Sequence, residues 1–229
     1  MSDNTRNPNA AEPNSAAAPS KERRTFLTGL NLGAASLAAL AATGIAKAQD
    51  RRTEVWTPTL HEQDDWMEKP NTLHRFVFDT TSEEGFNNAL LYGGNFLLAS
   101  RNGYGLEDKD SAVIIIARHI STSMAYNDAM WAKYGSAWSA PGAAADAEPR
   151  TANPHTKRLE ALANQGVMFG VCSMATQRLS MMGSRATGAE QQEVFDELVA
   201  NRITNAHMVP AGIVAVNRAQ ERGYAMVNV

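Results

Sequence analysis

The feature that most constrains this chain is an unbroken apolar run, SAVIIIARHI, at residues 111–120. Its apolar side chains occupy consecutive positions, so a strand built from them needs cover on both faces. A sheet with one solvated face favours alternating apolar and polar residues instead. The run therefore predicts an inner strand of a parallel sheet.

Strand and helix signals alternate on both sides of that run. Further strands are predicted at 74–79, 167–172, 206–212 and 224–229. Helices are predicted at 86–99, 125–135, 156–166, 189–203 and 213–223, with one more beginning near residue 173. Thr156 is expected to cap its helix and Gly166 to stop it. The alternation predicts an α/β fold with a parallel sheet of about five strands and helices on both faces.

The first 48 residues have a different composition. Residues 1–20 are rich in Asn, Ala, Pro and Ser, which predicts disorder. Paired arginines, an apolar pair, a weakly apolar stretch and an A-x-A site follow, a pattern typical of a twin-arginine export signal. The signal residues are Arg23, Arg24, Phe26, Leu27, Ala46 and Ala48.

These residues predict export by the twin-arginine translocation machinery, cleavage after Ala48 and a periplasmic location. The alternative is an uncleaved membrane anchor over residues 29–46, which glycines, Asn31 and threonines disfavour. After cleavage we expect no stable membrane anchor. Residues 49–72 predict an irregular arm that Trp56 and Trp66 pack onto a domain at 73–229.

Composition excludes some classes of function. The chain is 44% hydrophobic and 20% charged, as in ordinary globular proteins. A net charge of −3 gives no basic surface for nucleic acid. No cofactor is predicted, because the chain has no dinucleotide fingerprint, haem motif or cysteine cluster. Cys172, Met174, Met181 and Met182 superficially resemble copper ligands, but methionines at this spacing favour core packing, so no metal is predicted.

The predicted site lies where the strands end, because ligands of open parallel sheets bind at the carboxyl ends of the strands. Cys172 is the only cysteine, at the junction between a strand and a helix. Backbone N–H groups at a helix start stabilise a thiolate, which would make this sulfur reactive. The competing interpretation is a buried thiol that acts as a small hydrophobe.

Two further side chains are predicted to assist Cys172 as catalytic residues. His119 closes the central strand and could act as a general base or thiolate partner, or be a loop histidine with a satisfied hydrogen bond. Arg178 lies in the helix after Cys172 and could fold back to add positive charge.

Binding residues are predicted at the same edge of the sheet. Asp79 could orient a histidine, bind a substrate hydroxyl or cap the next helix. The full predicted binding set is Asp79, Thr80, Ser121, Ser173, Pro210 and Gly212.

Two segments resemble a known family. NQGVMFGVCSMATQR is similar to the cysteine segment of the DsrE/DsrF-like family, which includes the sulfur-relay subunits TusD and DsrE. HMVPAGIVAVNRAQERGYAMVNV is similar to the last β-α-β unit of that family, so the resemblance covers about residues 73 to 229. RHISTSMAYNDAMWAKYG resembles an exported subgroup.

The resemblance implies a flavodoxin-like sheet and assembly into homo-oligomers or with related subunits. In the relay members the matching cysteine carries a persulfide, which implies that Cys172 carries sulfur here. A sulfurtransferase-type role in the periplasm is therefore the leading hypothesis. The rival is a non-catalytic module that binds a small molecule or assembles oligomers, using the cleft or the 136–155 loop.

Overall fold

The protein is described by a computed structural model over residues 56–138 and 148–229. The predicted disordered segment and every export-signal residue lie outside these ranges. Five strands form one sheet in the order β4-β3-β2-β1-β5, and every pairing is parallel. The strands are β1 His74–Thr80, β2 Ser111–Ala117, β3 Met168–Cys172, β4 Ala206–Val209 and β5 Ala225–Asn228. The predicted flavodoxin-like α/β architecture is confirmed.

The helices cover both faces unequally. They are α1 Glu83–Tyr104, α2 Asp128–Trp138, α3 Thr156–Asn164, α4 Ser173–Thr187, α5 Gln191–Ala200 and α6 Gly212–Glu221. Strands β1 to β4 step across the sheet in one direction, and right-handed crossovers then place α1 to α5 on one face. After β4 the chain returns across the sheet and forms β5 at the opposite edge, next to β1. This crossover runs in the reverse direction and therefore places α6 on the other face. The strand order reverses between β1 and β5.

Strand β2 is the centre of the core. All seven of its residues are buried. Val113 and Ile115 pack under α1 to α5, whereas Ile114 and Ile116 pack under α6. Each buried isoleucine contributes roughly 1.5–3 kcal/mol of transfer free energy. The prediction of a strand buried on both faces is confirmed.

Several predicted boundaries were wrong. Strand β2 ends at Ala117 rather than 120, and a 3₁₀ helix covers His119–Ala125. Thr156 does not cap α3 but begins it, with His155 at the cap position. Gly135 does not end α2; a Cβ there would meet the Arg150 carbonyl oxygen at 2.1 Å, so glycine allows that segment to cross the helix.

The arm contributes to the second face. A 3₁₀ helix covers Glu62–Met67, and Met67 is buried among the side chains under α6. The Trp66 ring stacks on His207 at 4.6 Å between ring centroids, whereas Trp56 is exposed. Residues from Pro58 onward form one compact unit, and no helix of the described ranges is long and apolar enough to span a membrane.

Candidate functional site

A pocket of about 290 Å³ opens at the carboxyl ends of β2, β3 and β4. It brings together four of the predicted site residues, Cys172, His119, Arg178 and Gly212. The other lining residues are Arg118, Met174, Ala175, Ala211 and Ile213. The lining contains two arginines and no carboxylate.

Cys172 is the last residue of β3 and the residue before the first turn of α4. It is only 6% exposed, and its thiol forms no disulfide. The Thr176 hydroxyl donates to the Cys172 carbonyl oxygen at 2.9 Å and lies 2.6 Å from the Tyr126 hydroxyl. Burial raises the pKa of Tyr126, so the group behind the cysteine main chain is a neutral phenol. The cysteine backbone is therefore held firmly, and its side chain lines the pocket.

Arg118 follows β2 and was not among the predicted site residues. Its Nε and Nη2 donate to Asp79 Oδ1 and Oδ2 at 2.6 and 2.8 Å, a bidentate ion pair. Asn228 Nδ2 donates to Asp79 Oδ2 at 3.1 Å from β5. The hydrogen bonds to Asp79 raise the pKa of Arg118 despite burial, and the charges of Asp79 and Cys172 act in the same direction. Arg118 therefore lines the pocket with its charge paired to Asp79.

Asp79 does not cap the following helix, contrary to one expectation. Ser82 caps α1 instead, and its Oγ accepts from the Gly85 N–H at 3.0 Å. The Asp79 carboxylate also lies in the ion pair with an arginine rather than beside a histidine. The sequence places an acidic residue near the end of β1 and a basic residue directly after β2, but this predicts a pair only once the two strands are known to be adjacent.

Gly212 makes the position of Arg118 possible. A Cβ at Gly212 would lie 2.5 Å from Arg118 Cβ and 2.9 Å from Arg118 Cδ. Contacts under 3.0 Å force one group to move. The glycine therefore lets the start of α6 pack directly against the arginine side chain.

His119 and Arg178 form the solvent side of the pocket. Both are exposed, and within residues 56–138 and 148–229 neither forms an ion pair or a side-chain hydrogen bond. His119 has a φ of 58°, in the left-handed region that non-glycine residues adopt only at some cost. The predicted satisfied hydrogen bond of a loop histidine is absent from this part of the chain.

Thr80 and Ser121 lie beneath the loop rather than on the pocket wall. Both are fully buried, and Thr80 Oγ1 donates to Ser121 Oγ at 2.9 Å. Ser121 Oγ also accepts from the Arg118 N–H at 3.0 Å. These hydroxyls hold the chain that leaves β2. Ser173, half-buried at the start of α4, and Pro210, exposed after β4, lie at the same edge without lining the pocket.

Other concavities lie away from Cys172. Pockets of about 370 and 650 Å³ adjoin one another around Asp128 and Thr156, and neither contains a predicted site residue. The larger one contains His155, whose pKa burial lowers, but no cysteine. The described residues also hold no group of three His, Cys, Asp or Glu side chains placed to bind a metal ion. Among these pockets, a thiol and an arginine without an ion-pair partner in the described residues occur together only at Cys172.

No family model matches the chain, and no curated protein matches it. A solved structure of a protein of unknown function, MTH1491 from Methanobacterium thermoautotrophicum, is similar at 17% identity and a TM-score of 0.41. The similarity covers 68% of this chain and 99% of that chain.

Proposed function

We propose that this is a periplasmic, DsrE-like protein that accepts and transfers sulfane sulfur on Cys172, with an anionic sulfur compound as donor. One observation carries the proposal. The only thiol of the chain lies at a strand end, beside the start of a helix, in a pocket with two arginines, a histidine and no carboxylate. The Arg178 guanidinium, which has no ion-pair partner in the described residues, attracts an anionic donor.

The reaction is a thiol–sulfur exchange. The Cys172 thiolate attacks the outer sulfur of a donor such as thiosulfate, and a sulfur–sulfur bond forms on the cysteine. The bond between the two sulfurs of thiosulfate breaks, and sulfite leaves with the electron pair. An acceptor thiolate then attacks the terminal sulfur and regenerates the Cys172 thiolate. No external oxidant or reductant is needed.

The pocket residues have separate roles in this step. His119 takes the thiol proton before attack, because its imidazole is the only side chain of the pocket lining that can accept a proton. Arg178 pairs with the negative charge of the donor. Arg118, whose charge is paired with Asp79, keeps its wall of the pocket in place. The resemblance of NQGVMFGVCSMATQR to the family's cysteine segment supports the assignment of the carrier sulfur to Cys172.

The decisive experiment is intact mass measurement after incubation with thiosulfate. We expect a gain of about 32 Da, one sulfur atom, that reducing agent removes. Cys172→Ser is the matched control and should gain nothing. No adduct on the wild-type protein, or an equal adduct on Cys172→Ser, would overturn the proposal.

The burial of Cys172 favours one alternative, a module that binds an anion without reacting with it. In that case Arg178 and the helix starts hold the anion, and the cysteine only fills space. Alkylation with iodoacetamide distinguishes the sulfur carrier from the anion-binding module. A carrier thiol reacts in the folded protein, whereas a space-filling thiol reacts only after denaturant is added.

Export by the twin-arginine route has its own test. Arg23→Lys combined with Arg24→Lys should leave uncleaved precursor in the cytoplasm, measured by fractionation and immunoblotting. Lysine keeps the positive charge, so the variant isolates recognition of the arginine pair. Normal export of the double variant would contradict the assignment.

A further inference from the structure

The two edges of the sheet are finished in different ways. The main-chain carbonyl of Asn205 accepts a hydrogen bond from the Phe169 N–H of β3. The main-chain groups of successive residues in a strand point to opposite sides, so the Ala206 carbonyl points toward the free edge of β4. Arg202 Nε donates to that carbonyl oxygen at 3.2 Å. A charged side chain at the edge of a sheet hinders pairing with another chain. The Ala206 carbonyl at the β4 edge is therefore already occupied.

The β5 edge has no such protection in the described residues. The Val229 N–H donates to the Asp79 carbonyl of β1 at 3.1 Å. Because successive residues point their main-chain groups to opposite sides, the N–H and C=O groups of Met226 and Asn228 point away from β1, toward the free edge. Residues 224–229, YAMVNV, contain no charged side chain and no proline. Ala225, Met226 and Asn228 are exposed. The unpaired N–H and C=O groups of an edge strand are a template for pairing with another chain.

Helix α1 extends this surface. Phe96 stacks on Phe76 of β1 at 5.5 Å between ring centroids, and Phe76 is in register with Ala225 of β5. Tyr92, four residues before Phe96, lies on the same side of the helix and is 44% exposed. The stretch 85–100 contains no charged residue. The side of α1 next to β5 is therefore uncharged as well.

We infer that the β5 edge, with the Tyr92 side of α1, is the interface between two copies of this chain. A two-fold axis through Val227 lets the two β5 strands pair antiparallel and satisfies the outward main-chain groups. Each copy brings the same surface, so a charged patch would repel itself, whereas this uncharged one does not. The inference concerns assembly and is independent of sulfur transfer.

Proline at position 226 tests the interface sharply. Met226→Pro removes an N–H that points away from β1, so it blocks pairing with a second copy and leaves the β1–β5 hydrogen bonds in place. We expect a dimer for the wild-type protein and a monomer for Met226→Pro by light scattering and native mass spectrometry. Circular dichroism should show that the variant is folded. Tyr92→Lys gives a second, independent disruption by burying like charges.

Leu91→Lys is the matched control. Leu91 is 43% exposed in the same helix but lies one residue away from Tyr92, about 100° around the helix axis. This variant should remain dimeric. A monomeric wild-type protein at 100 micromolar, about a hundredfold above a micromolar dissociation constant, would overturn the inference. Persistent dimers in Met226→Pro and Tyr92→Lys, or dissociation of Leu91→Lys, would also overturn it.

Hydrogen exchange distinguishes other occupants of the edge. If the wild-type protein is monomeric and the Met226 amide is nevertheless protected, another part of the same chain covers β5. If the amide exchanges freely in the monomer, nothing covers it. Both outcomes contradict a dimer built on β5.

Discussion

Two arginines line the same pocket and differ in almost every physical respect. The Arg118 side chain is 25% exposed and holds both oxygens of Asp79. Arg178 is exposed, and no ion pair to it forms in the described part of the chain. The paired Arg118 holds two strand ends together, whereas the unpaired Arg178 remains available to bind a ligand. Arg118 therefore has a structural role in the pocket, and Arg178 can have a binding role.

The largest effect should come from breaking the fixed pair. Asp79→Ala leaves the Arg118 guanidinium partly buried without its counter-charge, so the free energy of unfolding should fall by about 3 kcal/mol. Urea denaturation measures this change. Arg178→Ala, the matched removal of a charge on the free side, should change it by under about 0.5 kcal/mol. Equal effects of the two variants would show that the comparison is wrong.

The next effect tests the space that Gly212 leaves for Arg118. Gly212→Ala should lower the free energy of unfolding by about 1–2 kcal/mol, because the new methyl group displaces the arginine. Gly103→Ala is the control, since a Cβ there meets nothing within 4 Å. It should stabilise helix α1 by about 0.5–1 kcal/mol. A neutral Gly212→Ala would mean that Arg118 moves without cost.

A smaller effect should separate the two arginines by reactivity. Arg178→Ala should slow alkylation of Cys172 by the anion iodoacetate about fivefold more than alkylation by neutral iodoacetamide, equivalent to about 1 kcal/mol of charge attraction. High salt should remove most of this difference, because Arg178 is exposed. Equal slowing of both reagents would indicate an altered pocket shape rather than a lost charge.

The smallest effect concerns His119. His119→Gly relieves a left-handed backbone conformation but adds chain entropy to the unfolded state, so the free energy of unfolding should rise by only about 0.5 kcal/mol.

The same variant tests the role of His119 in the reaction. If His119 accepts the thiol proton, the pH profile of the rate of Cys172 alkylation by iodoacetamide should move to higher pH in His119→Gly. An unchanged profile would remove His119 from the proposed reaction.

The sheet was predictable because its signals are local. The apolar run of β2 and the alternation of strands and helices follow from which residues are neighbours in sequence. The same reasoning placed Cys172, His119, Arg178 and Gly212 at one edge, and the structure brings all four to one pocket. The end of β2 was misjudged because apolar Ile120 continues the pattern after the backbone has already turned at His119.

The ion pair of Arg118 and Asp79 could not be derived from local patterns. It requires β1 and β2 to be adjacent, and the close approach of α6 requires the chain to return past β1 to form β5. Thr80 and Ser121 were expected to bind a ligand, but their polarity alone did not reveal that the Thr80 hydroxyl donates to the Ser121 hydroxyl. Such pairings depend on distances between segments far apart in sequence.

By itself, the sequence determined the class of fold, the strand that carries the only cysteine and the edge at which that strand ends, because apolar periodicity and strand direction are local properties. Tertiary structure decided which charges stay free. Arg118 and Arg178 are chemically identical side chains, and only the carboxylate brought beside one of them by the neighbouring strand makes their roles different.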